Sequence, residues 1–176
     1  MPDKIKIVPV IGAIIVRKNK DGLWELLLIR RAKKDSWGGM WEFPRGKCTI
    51  DKTLNECLLR EVKEETGLDV VLKKFVDKYE YIANDKEGER KSIQFNFLCK
   101  MKDETQEVKL SFEHDQYKWV SSVGQVELLV PSEMKRTISK VLNVPEQIVT
   151  YPADSKTQSI DEKVSSFLDS VFIKEK

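Results

Sequence analysis

The segment from Thr53 to Gly67 carries the clearest local signals in the sequence. Thr53 followed three residues later by Glu56 fits a capping box, and Gly67 stands where a helix end favours a left-handed residue. Between them, apolar side chains recur at spacings of three and four, as on one buried helix face. These are Leu54, Cys57, Leu58 and Val62. The sequence therefore predicts an amphipathic helix over 53–66, packed against a core.

Much of the remaining sequence shows the apolar alternation of β-strands. Residues 8–17 and 24–29 flank the turn Asn-Lys-Asp-Gly at 19–22, which predicts a hairpin. The other predicted elements are strands over 70–81, 91–102 and 116–120 and a helix over 131–142. Strands and helices mixed in this order, with hairpins, indicate an α/β or α+β sandwich with a mixed sheet.

Length and charge exclude several classes of protein. At 176 residues the chain has the length of one domain, and 40% apolar residues are enough for a packed core. The net charge of +2 is too small to indicate nucleic-acid or membrane binding through bulk charge. The longest apolar run, residues 7–16, contains Pro9 and Gly12 and is too short to span a bilayer. We therefore expect a cytoplasmic protein with no membrane partner.

The cysteines and the single histidine limit the possible chemistry. Cys48, Cys57 and Cys99 form no CxxC pair and are odd in number, so neither a disulfide framework nor a zinc ribbon is predicted. Buried thiols are expected instead. A lone histidine, His114, excludes a site that needs several imidazoles.

The helix predicted over 53–66 also carries an acidic arc. Glu61, Glu64 and Glu65 stand at i, i+3 and i+4, so their carboxylates project from one side of the helix and repel one another. Either Arg60 and Lys63 offset this repulsion and leave a solvated acidic face, or a divalent cation does. Oxygen ligands with no Cys or His on the arc are typical of Mg²⁺ or Mn²⁺ rather than zinc.

The acidic arc is part of a longer pattern. Gly46 is followed after thirteen residues by Arg-Glu-Val-Lys-Glu-Glu-Thr-Gly-Leu at 60–68. This resembles the Nudix box, Gly-x5-Glu-x7-Arg-Glu-U-x-Glu-Glu-x-Gly-U with U aliphatic, at all defining positions but one. The exception is Lys52, which stands where the box has its first Glu. Asp51 beside it is a candidate substitute.

The resemblance extends over about residues 8–142 and is closest to the MutT-like branch. It implies an α/β/α sandwich with a mixed sheet and a catalytic loop-helix-loop. The expected activity is hydrolysis of the diphosphate linkage of a nucleoside diphosphate derivative, foremost a nucleoside triphosphate to monophosphate and pyrophosphate, with Mg²⁺ or Mn²⁺ as cofactor. The alternatives are a dinucleoside-polyphosphate or RNA-cap hydrolase, suggested by Phe-Pro-Arg-Gly-Lys at 43–47, and a non-catalytic nucleotide-binding regulator.

The same resemblance implies the metal ligands. Glu61, Glu64 and Glu65 would bind the metal together with Glu113, a loop carboxylate that precedes a strand tryptophan. Arg60 would orient the helix carboxylates, so these three glutamates and Arg60 form the expected catalytic set.

Substrate contacts are implied at a strand end and in the turn before the acidic helix. Arg31 is expected to meet substrate phosphate, to which its planar guanidinium is suited, unless it simply ends an edge strand in water. Gly46 and Lys47 are the other expected contacts, in a turn whose glycine lets backbone approach a ligand closely. His114 either hydrogen-bonds phosphate or is structural.

The residue that recognises the base in the guanine-reading branch has no counterpart at the corresponding position of this sequence. By spacing from Trp119, the position where the guanine-reading branch has Asn holds Met134, whose thioether cannot make a paired hydrogen bond to a purine edge. Trp37, Trp41 and Phe43 either stack on a base or pack in the core. The sequence therefore does not predict which base the substrate carries.

We expect residues 1–143 to form the Nudix-like domain and residues 144–176 to form a connector and a C-terminal amphipathic helix. That helix is predicted over 159–174, with an apolar stripe that packs back on the domain or meets a partner, such as a second copy in a homodimer. The expected partner is a small nucleotide, and the only nucleic acid left open is an RNA 5′ end.

Overall fold

The computed structural model describes residues 6–34, 37–49, 51–85, 88–126 and 130–143. Seven strands and two α-helices form in the described residues, and a short 3-10 turn at Val123–Gln125 precedes the second helix. The elements are β1 Lys6–Lys18, β2 Trp24–Arg31, β3 Trp41–Glu42, β4 Arg45–Lys47, α1 Leu54–Thr66, β5 Val70–Asp85, β6 Gly88–Met101, β7 His114–Val120 and α2 Ser132–Leu142. Every strand and helix predicted within these residues is present, with ends that differ by a few residues.

The strands form one mixed sheet. Its order is β3-β2-β1-β6-β5, with β4 also pairing β1 and β7 also pairing β2. β1 runs parallel to β6, while its pairs with β2 and β4 are antiparallel. The hairpin predicted at residues 19–22 joins β1 to β2, and Asn19 accepts hydrogen bonds from Asp21 N–H and Leu23 N–H there (both 3.0 Å).

The sheet lies between the two helices. Because successive residues of a strand point to opposite faces, β1 contributes to two separate cores. Ile11 and Ile15 pack with Val62 of α1 on one face. Ile14 packs with Ile138 of α2 on the other face. The predicted α/β/α sandwich with a mixed sheet is confirmed.

Both ends of α1 have the capping contacts that the sequence indicates. The Thr53 hydroxyl accepts a hydrogen bond from Glu56 N–H (3.2 Å), and the Glu56 carboxylate accepts one from Thr53 N–H (2.9 Å). Gly67 ends the helix at φ 71°, and its N–H donates to the carbonyl of Lys63. Glu65 is buried on the inner side of this helix, with only 6% of its surface exposed. A buried carboxylate needs a hydrogen-bond donor, and the backbone of β4 supplies one.

The cysteines correct one expectation. Cys48, at the end of β4, is disulfide-bonded to Cys57 on α1, with 5.5 Å between their Cα atoms. The prediction of three buried thiols is therefore wrong for this pair and confirmed for Cys99, which is free and buried. The spacing of the cysteines in the sequence did not predict this bond. It forms because the loop after β4 folds back and brings Cys48 next to Cys57 in α1.

The predicted C-terminal helix over 159–174 lies outside the described residues. Among the residues that the structure describes, neither helix has the length and apolar character that a membrane crossing requires.

The disulfide predicts a measurable difference between oxidised and reduced protein. Closing a loop between residues 9 apart restricts the unfolded chain, so reduction is expected to lower the free energy of unfolding by about 2.5 kcal/mol. Urea unfolding with and without a dithiol reductant measures this. The double variant Cys48→Ser/Cys57→Ser is the control and should show no response to reductant. Finding three free thiols in unreduced, denatured protein would refute the bond.

Candidate active site

The carboxylates of α1 face the short strand β4. Gly46 of β4 lies directly against the side chain of Glu61, and a Cβ atom at position 46 would stand 1.9 Å from the Glu61 carboxyl carbon. Any side chain there would displace the carboxylate. The structure thus gives Gly46 a steric role, which is to leave room for Glu61, while its contact with substrate stays a prediction.

Glu65 is held at the same strand. The backbone N–H of Arg45 donates a hydrogen bond to Glu65 Oε2 (2.9 Å). Burial raises the pKa of Glu65 to about 9, and the negative charges of Glu42 and Glu61 act in the same direction. A carboxyl group with so strongly shifted a pKa in a cluster of acids is typical of a functional site.

Arg60 offsets part of the repulsion among the acids. Its guanidinium pairs with Glu61 Oε1 (2.6 Å) and lies 3.4 Å from Glu64 Oε2. Lys63, the other predicted counter-ion, instead contacts the Gly67 carbonyl (3.0 Å) and the Asp69 carboxylate (2.8 Å). Arg60 is thus placed to orient two of the predicted metal ligands.

Glu113, the fourth predicted metal ligand, lies near enough for its charge to act on Glu61. Burial raises the pKa of Glu61 against the lowering effect of Arg60, and the charges of Glu64 and Glu113 raise it further. The carbonyl of Glu113 accepts a hydrogen bond from Ala32 N–H (2.8 Å), which ties this loop to the end of β2.

The chemical type of these ligands, though not their present arrangement, fits a hard divalent ion. The negative charge of Glu61 interacts unfavourably with those of Glu64, Glu65 and Glu113, and oxygen-only ligands suit Mg²⁺ or Mn²⁺. Within the described residues, no three acidic, histidine or cysteine side chains converge closely enough to bind one ion as they stand. The pairing of Arg60 with Glu61 and Glu64 is one reason, since these carboxylates would have to turn from the guanidinium toward an ion.

A second network, which the sequence reasoning missed, is centred on Glu42. This buried carboxylate accepts hydrogen bonds from Arg31 Nη1 (3.0 Å) and Arg45 Nε (2.7 Å), and His114 Nε2 lies 3.2 Å from its Oε1. Burial alone would raise the pKa of Glu42, but His114 and the two arginines outweigh it and lower the pKa. The predicted phosphate-binding residue Arg31 is therefore positioned by Glu42. His114 is fully buried, which favours its structural interpretation.

Arg45 connects the two networks to the rest of the sheet. Its Nη1 contacts the Tyr81 hydroxyl and donates a hydrogen bond to Gln94 Oε1 (3.1 Å). Gln94 donates to Asn96 (2.8 Å), and Asn96 donates to Asp77 (3.0 Å). The opposite charges at positions 42 and 45, three residues apart in a short buried stretch, were the signal in the sequence that could have revealed this pair.

A pocket of about 190 Å³ opens beside Glu42 and Arg45. Aromatic and methionine side chains form most of its wall. The lining residues are Trp37, Met40, Trp41, Glu42, Arg45, Tyr79, Tyr81, Pro131, Glu133 and Met134. Its size and its composition suit one flat ring system, such as a nucleobase.

The remaining predicted residues are placed as follows. Trp37 is 42% exposed at the pocket and Trp41 is buried in its wall, whereas Phe43 is fully buried in the core. Lys47 is exposed on β4, so its contact with substrate stays a prediction. Lys52 is also exposed, at the turn before α1, and its charge acts on Asp51 and Glu56.

A sequence model of the NUDIX domain matches residues 6–139. The chain belongs to the Nudix family. Among solved structures, this Nudix domain is similar to a MutT protein from Methanosarcina mazei Go1, with a TM-score of 0.64 and 26% identity over 82% of this chain and 98% of that one. An Ap4A hydrolase from C. elegans has the same fold, with a TM-score of 0.65 and 21% identity over 80% of this chain and 98% of that chain.

Curated relatives of this Nudix domain have different activities. An 8-oxo-dGTP diphosphatase from Proteus vulgaris is 32% identical over 62% of this chain and 90% of its own length. The mRNA-decapping enzyme subunit 2 of Saccharomyces cerevisiae is 29% identical over 81% of this chain. The chain spans 14% of the length of that relative. The comparisons therefore show the family and leave the substrate open.

The carboxylate cluster predicts that divalent-ion binding depends on individual acids. Because a hard ion needs several oxygen ligands, Glu64→Gln and Glu65→Gln are each expected to weaken Mn²⁺ binding by at least about tenfold. Electron paramagnetic resonance of free Mn²⁺ measures this directly. Glu107→Gln, at an exposed acid on a neighbouring loop, is the matched control. Wild-type affinity in both cluster variants would show that the metal ligands are wrongly assigned.

Proposed function

We propose that this Nudix domain hydrolyses the diphosphate linkage of a nucleoside diphosphate derivative with Mg²⁺, foremost a nucleoside triphosphate to monophosphate and pyrophosphate. The observation that carries the proposal is the position of Glu42 and Arg45. Both line the base-sized pocket, and the backbone of Arg45 also holds Glu65 of the acidic cluster (2.9 Å). A nucleotide with its base in the pocket would therefore have its phosphates beside the carboxylates.

The acidic residues would hold the ions and accept a proton. Glu61, Glu64, Glu65 and Glu113 supply the oxygen ligands, and Arg60 orients Glu61 and Glu64. When bound, Mg²⁺ would neutralise diphosphate charge and help to activate water. Water adds to one phosphorus as the bond to the bridging oxygen breaks, and one carboxylate of the cluster takes its proton.

The two arginines that contact Glu42 would bind the phosphates of the substrate. Glu42 holds Arg31 at 3.0 Å and Arg45 at 2.7 Å, so both guanidinium groups are positioned before substrate arrives. Preorganised cations of this kind stabilise the charge that develops on transferred phosphoryl groups. Lys47, exposed on the same strand as Arg45, would add a further cation.

An RNA-cap or dinucleoside-polyphosphate substrate is the second candidate. It is supported by the similarity to the yeast decapping subunit, which extends over 81% of this chain, and by the basic residues of β4. Both substrate types contain the same nucleoside diphosphate unit, so the acidic cluster would serve either reaction.

A substrate panel tests the proposed function. Purified protein with Mg²⁺ is incubated with nucleoside triphosphates, a dinucleoside tetraphosphate and a capped RNA, and the products are separated by ion-exchange chromatography. We expect nucleoside triphosphates to give monophosphate and pyrophosphate, with turnover at least about a hundredfold lower for Glu65→Gln and unchanged for Glu107→Gln. Nucleotide products from the capped RNA or the dinucleoside tetraphosphate alone, with none from the nucleoside triphosphates, would favour the second candidate. Metal-dependent nucleotide binding with no product would show a binding module instead.

A further inference from the structure

A buried chain of hydrogen bonds leads from Arg45 to α2 through two side-chain amides of β6. Arg45 Nη1 donates to Gln94 Oε1 (3.1 Å), and Gln94 Nε2 donates to Asn96 Oδ1 (2.8 Å). Asn96 Nδ2 donates to Asp77 Oδ1 (3.0 Å), and the Thr137 hydroxyl of α2 donates to Asp77 Oδ2 (2.9 Å). Gln94 and Asn96, here called the amide chain, are at most 1% exposed. Each bond in it is costly to break, because a buried group that loses its partner stays unsatisfied.

The two ends of the amide chain fix its direction. A guanidinium only donates hydrogen bonds, and an ionised carboxylate only accepts them. Each amide between Arg45 and Asp77 therefore has one orientation that satisfies both neighbours, with its oxygen toward Arg45 and its amino group toward Asp77. The opposite orientation would place N–H against N–H at Arg45 and oxygen against oxygen at Asp77.

The sheet leaves space for the amide chain at Gly12 of β1. A Cβ atom at position 12 would stand 2.6 Å from Asn96 Oδ1 and 2.9 Å from Gln94 Nε2, the two atoms that their hydrogen bond joins. The φ angle of Gly12 is not positive, so this glycine is needed for its small size and not for its backbone conformation. A side chain here would displace the amide chain.

The contacts of the Arg45 guanidinium decide which of its donors are left for a ligand. The group has five N–H donors. Nε donates to Glu42 (2.7 Å), and the two donors of Nη1 face Gln94 Oε1 and the Tyr81 hydroxyl. Within the part of the chain that the structure describes, Nη2 makes no hydrogen bond, although the side chain lines the pocket and is 20% exposed. Nη2 is therefore the group that Arg45 can offer to a phosphate.

We propose that Asp77 is a positioning residue for Arg45 and acts through the amide chain. The inference rests on the proposed function, in which Arg45 binds substrate phosphate. Asp77 sets the direction of both amides, and the Gln94 oxygen that then faces Arg45 keeps Nη1 engaged and leaves Nη2 for the ligand. Without an acceptor at position 77, both amides are free to turn over, and the Gln94 amino group would then repel the guanidinium. Because Asp77 also binds Thr137, the packing of α2 is coupled to the phosphate-binding arginine.

Nuclear magnetic resonance of the Arg45 guanidinium tests the inference without substrate. Its nitrogen–proton signals are identified by their loss in Arg45→Lys. We expect the Nη1 protons to exchange with water roughly tenfold faster in Asp77→Ala, the factor that corresponds to one lost hydrogen bond. Asp77→Asn retains an acceptor oxygen for Asn96 and should keep the wild-type rate. A wild-type rate in Asp77→Ala would overturn the inference.

Two further variants separate this effect from a general loss of stability. Gly12→Ala interrupts the amide chain in its middle and leaves Asp77 and Arg45 in place, so it should also accelerate exchange, and it decides the test if Asp77→Ala does not fold. Ile138→Val trims the core on the same helix as Thr137 and should lower the melting temperature without changing the Arg45 signals. Wild-type exchange in Gly12→Ala, or accelerated exchange in Ile138→Val, would show that the amide chain does not position Arg45.

Binding of inorganic pyrophosphate with Mg²⁺, measured by calorimetry, separates the inference from the proposed function. We expect Asp77→Ala and Gly12→Ala to weaken binding by about 2- to 12-fold, and Asp77→Asn and Ile138→Val to bind like wild type. Unchanged affinity in the first two variants would overturn the role of Asp77 and leave the hydrolase, which the substrate panel tests, intact. Weakened binding in those variants of a protein that releases no product from any nucleotide would uphold Asp77 and overturn the hydrolase.

Discussion

The buried carboxylate of Glu42 is the contact on which the site depends. It binds Arg31 at the end of β2, Arg45 on β4 and His114 at the start of β7. The ends of β2, β4 and the start of β7 thus meet at one negative charge. Removing one partner from a buried charge pair typically costs roughly 3–5 kcal/mol, because the remaining charge is left without compensation. Glu42 therefore determines where the two arginines lie.

The elements of the fold were predictable where local chemistry decides them. The capping box at Thr53 and the left-handed Gly67 delimit α1 without reference to the rest of the chain. The long strands follow from runs and alternations of apolar residues in the sequence. β3 and β4 have two and three residues, which is too short for a period to show, and the Cys48–Cys57 bond depends on how the following loop returns.

The same division applies to the candidate site. Glu61, Glu64 and Glu65 lie within one turn and a half of a single helix, so their proximity follows from helical geometry alone. Glu42 and His114 are 72 positions apart in the sequence and come together because β2 pairs with both β3 and β7. The position of Glu133 beside the pocket likewise depends on how α2 packs on the sheet. Such contacts require the tertiary structure.

Arg45 resolves a conflict between two requirements of the site. A metal cluster needs several acids close together, whereas a stable interior disfavours buried like charges. Arg45 meets both by dividing its donors: its backbone N–H binds Glu65, and its side chain binds Glu42. Because the side chain also reaches Gln94 (3.1 Å), it is anchored in the sheet from two directions. A substrate phosphate that binds Arg45 would contact a guanidinium whose position is already determined. Because the side chain does not have to be ordered on binding, the entropic cost of binding is lower. Arg45 lies where the pocket adjoins the acidic cluster.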